Sequence, residues 1–326
     1  MLINILVFMI VLLVYLHIFY HLKVSNDLEI YEHDITNKNN LEEILNLRQP
    51  VVMNYNRQNL DTIFTIDNIH KNYSNSEINV RKNNMNNDLV DKNTVVTIDL
   101  LKNLFENDNK YYSENNSNFI DKSNLTHELE YNDVILKPPM SSETKYDLLL
   151  GGSDTSTKFK YDLNFRHFLY ASDGNINVTL SPPINTKNME LYKDYYNFEY
   201  ISSINPYLKE DEMKMKSISK VSITLKKGQL LFIPAYWWYS IQFNNSVVLA
   251  FKYKTYMNQL TILPEYIMSL MQRQNIKKKT QNKIYKEDVK IKKENNKKLK
   301  PKKEKKVKKK EDKQILKTHK EEVKKI

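Results

Sequence analysis

The chain contains no cysteine, four glycines and two tryptophans in 326 residues. Without a thiol there is no disulfide framework, no Cys-based zinc or iron–sulfur site and no thiol nucleophile. Four glycines exclude collagen-like and Gly-rich propeller repeats, and none of them falls in a P-loop or GxGxxG spacing.

Basic charge is also scarce, outside one segment. The whole chain has 50 Lys+Arg against 39 Asp+Glu, a net of +11. Residues 276–326 alone hold 23 Lys against 8 Asp+Glu, a net of +15, which leaves 27 against 31, or −4, for residues 1–275. Any attraction to nucleic acid or anionic lipid therefore belongs to residues 276–326. That segment has no apolar face at a helical or strand period, so it is expected to be a disordered, solvated basic tail. Its clustered cations suit phosphates on nucleic acid or on an anionic membrane, and they suit a merely solubilising terminus equally. Only Tyr285 is interleaved there for stacking on bases.

Hydrophobic residues make up 40% of the chain, enough for a core. They begin with residues 2–20, LINILVFMIVLLVYLHIFY, where only Asn4 and His17 are clearly polar. As a helix rising ~1.5 Å per residue, this run just spans a ~30 Å hydrocarbon layer. Residues 1–22 are expected to be a single-pass transmembrane anchor, with Tyr15, Tyr20 and Lys23 at an interface. A cleaved signal peptide is the rival, but no Lys or Arg precedes Lys23 and no A-x-A site ends the run. Which side the amino terminus faces is open.

Residues 23–48 are polar and read as a linker. PVVMNYN (50–56) reads as a short buried strand, and 97–106 as a helix with Ile98, Leu101, Leu104 and Phe105 on one face. The Asn/Asp/Ser-rich stretches 71–95 and 107–130 read as loops. Short strands then follow one another: 147–150, 157–162, 165–170, 176–180, 221–225, 230–233, 237–243 and 247–253. Strand upon strand without intervening helices predicts an antiparallel barrel or sandwich. All four glycines, Gly151, Gly152, Gly174 and Gly228, fall between these strands and read as turn residues. Residues 257–273 read as a closing helix within a C-terminal helical segment, 258–275.

The segment KKGQLLFIPAYWWYSIQFNNSVVLAFKYK (226–254) strongly resembles the last core strands of JmjC and cupin-like 2-oxoglutarate oxygenases, above all the group of the factor-inhibiting asparaginyl hydroxylase. Gly228-Gln229 matches the family's turn, Ile233-Pro234 its strand end, and Trp237-Trp238 its Trp-Trp-His segment. Upstream, residues 151–183 resemble the family's first iron-binding segment through Gly151, Thr157, Asp162, Gly174 and Pro182-Pro183. PVVMNYN resembles its first strand. The likeness covers roughly 48–257 and is weak between 57 and 140. It implies a mostly β domain over 49–257, a double-stranded β-helix (cupin or jelly-roll barrel) with flanking helices. It also implies dimerisation through C-terminal helices, for which 257–273 would serve. The Asn/Lys/Ile/Tyr bias is similar to that of proteins of large DNA viruses of protists.

Such an oxygenase holds Fe(II) with two His and one carboxylate, leaving sites for 2-oxoglutarate and O2. By resemblance the first His position is Lys160, the carboxylate is Asp162 and the second His position is Tyr239. The co-substrate's Lys position is Ile176, and its Thr is retained as Thr157. A protonated Lys160 has no lone pair for iron. It is expected instead to pair with Asp162, with Tyr239 hydrogen-bonding into the same cavity. The only HxD or HxE triplet, His319-Lys320-Glu321, lies in the basic tail, and His167, five residues beyond Asp162, reads as a packed or surface residue. Tyr236, Trp237 and Trp238 read as core and rim packing. The expectation is a metal-free barrel with a binding or structural role. An active Fe(II)/2-oxoglutarate hydroxylase or demethylase with atypical ligands is the alternative, and a tail-mediated tether is a third reading.

Overall fold

Two long strands organise the molecule, and each carries a built-in bend. In the computed structural model, which describes residues 2–35, 37–83, 93–107 and 110–275, the strands at 166–181 and 238–255 pair antiparallel from Arg166↔Tyr253 to Ser181↔Trp238. The sequence pattern suggests two strands in each case, split at Gly174 and at Asn244–Asn245. Instead both run on through the bend. Gly174 sits at φ +69° and Asn245 at φ +45°, and the pair's register shifts there. A left-handed residue bends a strand without ending its ladder. Each strand thereby contributes to both walls of a barrel.

Chain order is as follows. Helix α1 (Leu2–Leu22) precedes β1 (Tyr31–Asp34), α2 (Lys38–Leu45), β2 (Val51–Asn54), α3 (Gln58–Ile63) and α4 (Ile66–Tyr73). Then come β3 (Glu77–Lys82), β4 (Asn93–Thr97), α5 (Ile98–Asn107), β5 (Tyr111–Ser113), α6 (Ser117–Lys122), α7 (Thr126–Glu130) and α8 (Asp133–Leu136). The barrel strands proper are β6 (Ser141–Gly151), β7 (Lys160–Tyr161), β8 (Arg166–Ser181), β9 (Leu191–Asp194) and β10 (Glu199–Ser202). After α9 (Glu212–Met215) they continue as β11 (Val221–Leu225), β12 (Gln229–Ile233) and β13 (Trp238–Thr255), closed by α10 (Tyr256–Thr261) and α11 (Leu263–Asn275).

The strand order is β1-β2-β12-β8-β13-β6-β5-β3-β4, with β11 on the far half of β8 and β7 bridging β13 to β10 and β9. Period-2 alternation sorts side chains into two cores. Val51, Met53, Leu148, Leu150, Phe168, Tyr170, Leu249 and Phe251 pack outward beneath helices α2 to α8. Val52, Leu149, Leu169, Ala171, Ile176, Val178, Tyr239, Ile241, Val248 and Ala250 turn inward and fill the barrel. This is the expected double-stranded β-helix, a mostly β fold with flanking helices.

Three expectations change. Residues 23–48 are not only a linker: β1 pairs parallel with β2, and α2 buries Leu41 and Leu45 in the outer core. A helix with one apolar stripe and an Asn37 cap looks polar overall, because a single face is all it buries. The stretches 71–95 and 107–130 contain β3, β4, β5, α6 and α7 among the described residues. Here β3 and β5 gain strand structure by pairing with each other and with β6 rather than by local propensity. The closing segment is two helices, parted at Ile262, with Pro264 at the start of α11. The helix over 98–107 forms as expected, burying Ile98 and Leu101. Residues 1–270 form one compact unit, and the last turn of α11 is the described part of a second, 271–326. The expected basic tail, 276–326, lies outside the described residues.

Candidate functional site

The same alternation that fills the barrel with apolar side chains also turns ionisable ones inward at one end. In β13, Lys252 shares a face with Val248 and Ala250. In β8, His167 shares one with Leu169 and Ala171. Lys252 and His167 are direct partners across the β8–β13 ladder. Arg81 of β3 and Asp147 of β6 alternate in the same way with outward-packed Val80 and Leu148. Tyr239 of β13 is paired with Lys160 of β7.

Asp162 lies at the centre. Its Oδ2 is 3.1 Å from Lys252 Nζ and 3.0 Å from His167 Nδ1, and it accepts a 3.1 Å hydrogen bond from the Tyr239 hydroxyl. The Tyr236 backbone N–H donates to the Asp162 carbonyl at 3.1 Å, which holds the segment in place. Burial works to raise the Asp162 pKa, but Lys252, then His167 and Lys160, outweigh it and hold the carboxyl well below its usual range. Burial tends to discharge Lys252, yet Asp162 and Asp147 keep its pKa raised. Burial, with the Asp162 charge second, pushes the Tyr239 phenol well above its ordinary value, so it is a donor and not a phenolate. His167 is 2% exposed, and burial lowers its pKa to about 4 against the pull of Asp162. Its Nε2 has no hydrogen-bond partner among the described residues.

A second charged group adjoins this one. The Lys160 ammonium binds Glu114 and sits 5.4 Å over the Tyr239 ring. Arg81 Nη1 is 3.2 Å from the other Glu114 oxygen, and its Nη2 binds Glu199. Glu199 also accepts from Asn115 Nδ2 at 2.8 Å. Burial raises the Glu114 pKa, but Lys160 and Arg81 bring it below its usual value. Three cations, Arg81, Lys160 and Lys252, thus face three carboxylates, Glu114, Glu199 and Asp162. Asp147 stands apart: burial raises its pKa, and it accepts the backbone N–H groups of Asn115, Asn116 and Leu148 at 3.0, 2.6 and 2.9 Å. It holds the turn that carries Glu114.

The three expected site positions do come together, but not with the expected partners. Lys252, not Lys160, is the cation on Asp162, because Glu114, on the turn just after β5, takes Lys160. His167 is packed, as expected, but packed against the site itself. Lys252, Glu114, Arg81 and Glu199 escape the sequence reading. For Lys252 the signal was present, a charge on the inward face of an otherwise apolar strand; for Glu114 and Arg81 it lay in stretches without strand character.

Thr157 is committed to the backbone. Its Oγ1 accepts the Ile241 N–H at 2.9 Å and its own N–H donates to the Ile241 carbonyl at 2.8 Å. Ile176 is buried in the barrel core opposite Leu225. Trp237, just before β13, and Trp238, its first residue, are fully buried in two different core clusters, and Trp238 donates from Nε1 to Thr186 Oγ1 at 3.0 Å. Tyr236 is half-buried at φ +67°, its ring 6.2 Å from that of Tyr161.

A metal ligand must offer a free lone pair. Here one candidate is an ammonium, one a protonated phenol, and the third a carboxylate whose Oδ2 is already met by three protein groups. This donor set does not suit Fe(II), and an isoleucine does not suit a 2-oxoglutarate carboxylate.

The bent β8–β13 pair, the shared walls and the inward site define a cupin barrel. A family model described as the cupin-like domain matches residues 24–259, and the chain belongs to that family. The match begins within the segment read as a linker, in accord with the packing of β1 and α2. A search of curated proteins returns no match.

Proposed function

We propose that the protein is a membrane-anchored cupin-like protein whose barrel serves a binding or structural role and not 2-oxoglutarate oxygenation. The observation that carries this reading is the Lys252–Asp162 ion pair. It puts a protein cation against the one carboxylate that the resemblance to the oxygenases leaves for iron. A barrel can keep its scaffold while its site is replaced, since function resides in the site. The anchor is supported by α1, which is long and apolar enough to cross a membrane and has no buried residue.

The test uses the full chain in detergent, loaded with Fe(II) under nitrogen. Elemental analysis is expected to find no stoichiometric iron, and 2-oxoglutarate is expected to yield no succinate. Stoichiometric iron that disappears in Asp162→Ala would overturn the reading in favour of an oxygenase with atypical ligands. A second role is favoured by the +15 net charge of residues 276–326. It is a tether to nucleic acid or an anionic membrane, whose binding should weaken with salt and vanish on truncation after Asn275.

A further inference from the structure

Helix α1 does not leave the domain freely. It packs along α10, and Val14, Ile18 and His21, at i, i+4 and i+7, are the α1 residues that lose exposure before the helix ends. Its base is fixed to the barrel: the Tyr20 hydroxyl donates to Asn46 Oδ1 at 3.2 Å, the Arg48 guanidinium lies 5.1 Å over the Tyr20 ring, and the His21 ring is 5.2 Å from that of Phe165. The free part of α1 is therefore residues 2–13, twelve residues or ~18 Å of helix, well short of a ~30 Å hydrocarbon layer. All 21 residues of α1 span it at ~32 Å. If α1 crosses a bilayer while docked, the surface beside Val14 and Ile18 must enter the lipid too.

The helix beside α1 is α10, which runs directly on into α11, and both are built for it. From Tyr256 to Leu270 the only charged side chain is Glu265, and it is partly buried. Tyr256 and Leu260 on α10 are exposed. On α11, Leu263, Ile267 and Leu270 form an exposed apolar stripe at i, i+4 and i+7, each about half exposed or more. Water is a poor solvent for such a stripe, and lipid beside an inserted helix is a good one.

We propose that α10 and the first two turns of α11 form a membrane seat, with Tyr256, Leu260, Leu263, Ile267 and Leu270 immersed in lipid alongside α1. The seat rests on reading α1 as a membrane span. It holds the barrel at a set height and tilt against the bilayer, where a bare anchor would leave the barrel mobile.

Because the chain has no cysteine, single introduced thiols label unambiguously. An environment-sensitive fluorophore is attached to Leu6→Cys on α1, to Ile267→Cys and Leu270→Cys on α11, and to Val95→Cys on the distant edge strand β4. The full chain is reconstituted into vesicles of phosphatidylcholine and brominated phosphatidylcholine. The bromolipid is expected to quench the labels at 267 and 270 as strongly as the label at 6, and to leave the label at 95 bright. Quenching at 6 but not at 267 and 270 overturns the seat and leaves the anchor intact. Disulfide cross-linking at 267 in that case assigns the face to a second copy of the chain. No quenching at 6 removes the anchor and the seat together, and equal quenching at 95 makes the contact non-specific and overturns the seat as well.

Discussion

Removing the Lys252 ammonium leaves Asp162 a partly buried carboxylate with only neutral neighbours on that oxygen. Breaking one half of a fully buried ion pair costs about 3–5 kcal/mol, because the remaining charge keeps its desolvation penalty without its partner, and the side-chain exposure of 17% and 21% in this pair puts it at the lower end. Lys252→Met should therefore lower the unfolding free energy by that order in denaturant titrations. Lys252→Met combined with Asp162→Asn should recover most of the loss, and purely additive losses would mean the two groups are not coupled. His167 sets a separate, pH-dependent term. Its folded pKa of about 4 lies below the ~6.5 of an unfolded His, so between these values the unfolded state binds more protons. Stability should then fall as pH drops from about 6.5 to about 4, by roughly 3 kcal/mol in all. Asp162 and Glu114 act further down: their folded pKa values are lowered, so their contributions hold above about pH 4 and are lost below it. His167→Asn should flatten the stability profile between pH 6.5 and 4 and leave the steeper acid limb in place. The groups facing His167 are Asp162, Lys252, Lys160 and the Tyr239 ring, 5.2 Å away between centroids.

At the scale of the element, β1 and α2 are structural parts and not a linker. Leu41 is 1% exposed in the outer core with Val51, Phe168 and Phe232. Leu41→Ala should cost about 2–5 kcal/mol, the usual penalty for truncating a buried leucine. A substitution in a flexible linker would leave thermal unfolding unchanged, so the measurement separates the two accounts. Gly151 tests the barrel's closure. A Cβ there would lie 2.2 Å from the Phe243 ring, where β6 passes under β13. Gly151→Ala should destabilise by about 1–3 kcal/mol through overpacking, and Phe243→Leu in the same chain should relieve part of it.

For the whole molecule, the anchor reading makes a prediction in a cell membrane. The full chain should stay in the membrane fraction through alkaline extraction, and its intact mass should still include residues 1–22. Release into the soluble fraction with loss of that segment would identify a signal peptide. Retention would give the +15 segment, residues 276–326, a short tether and hence a high effective concentration at the nearest anionic surface.

Much of this architecture is legible without coordinates because it rests on local, periodic rules. Nineteen almost wholly apolar residues predict one long helix whatever surrounds them. Alternation in Val221–Leu225 and Val247–Tyr253, with glycines beside them, predicts strands, and resemblance of the two motifs predicts their barrel. By the resemblance, the identities at Lys160 and Tyr239 replace both iron-binding histidines, and Ile176 replaces the lysine that meets the co-substrate. What the sequence could not supply was partnership. Lys160 and Asp162, two residues apart, look like a pair, yet Asp162 goes to Lys252, ninety residues on, and Lys160 to Glu114, from a stretch that reads as loop. Arg81 lies in β3 and Glu114 just after β5, strands laid outward from the edge of β6, with β5 on β6 and β3 on β5. Nor does any local pattern tell that α1 leans on α10. Ion pairing and docking depend on distances between segments remote in the chain, and those distances exist only after the sheet has closed.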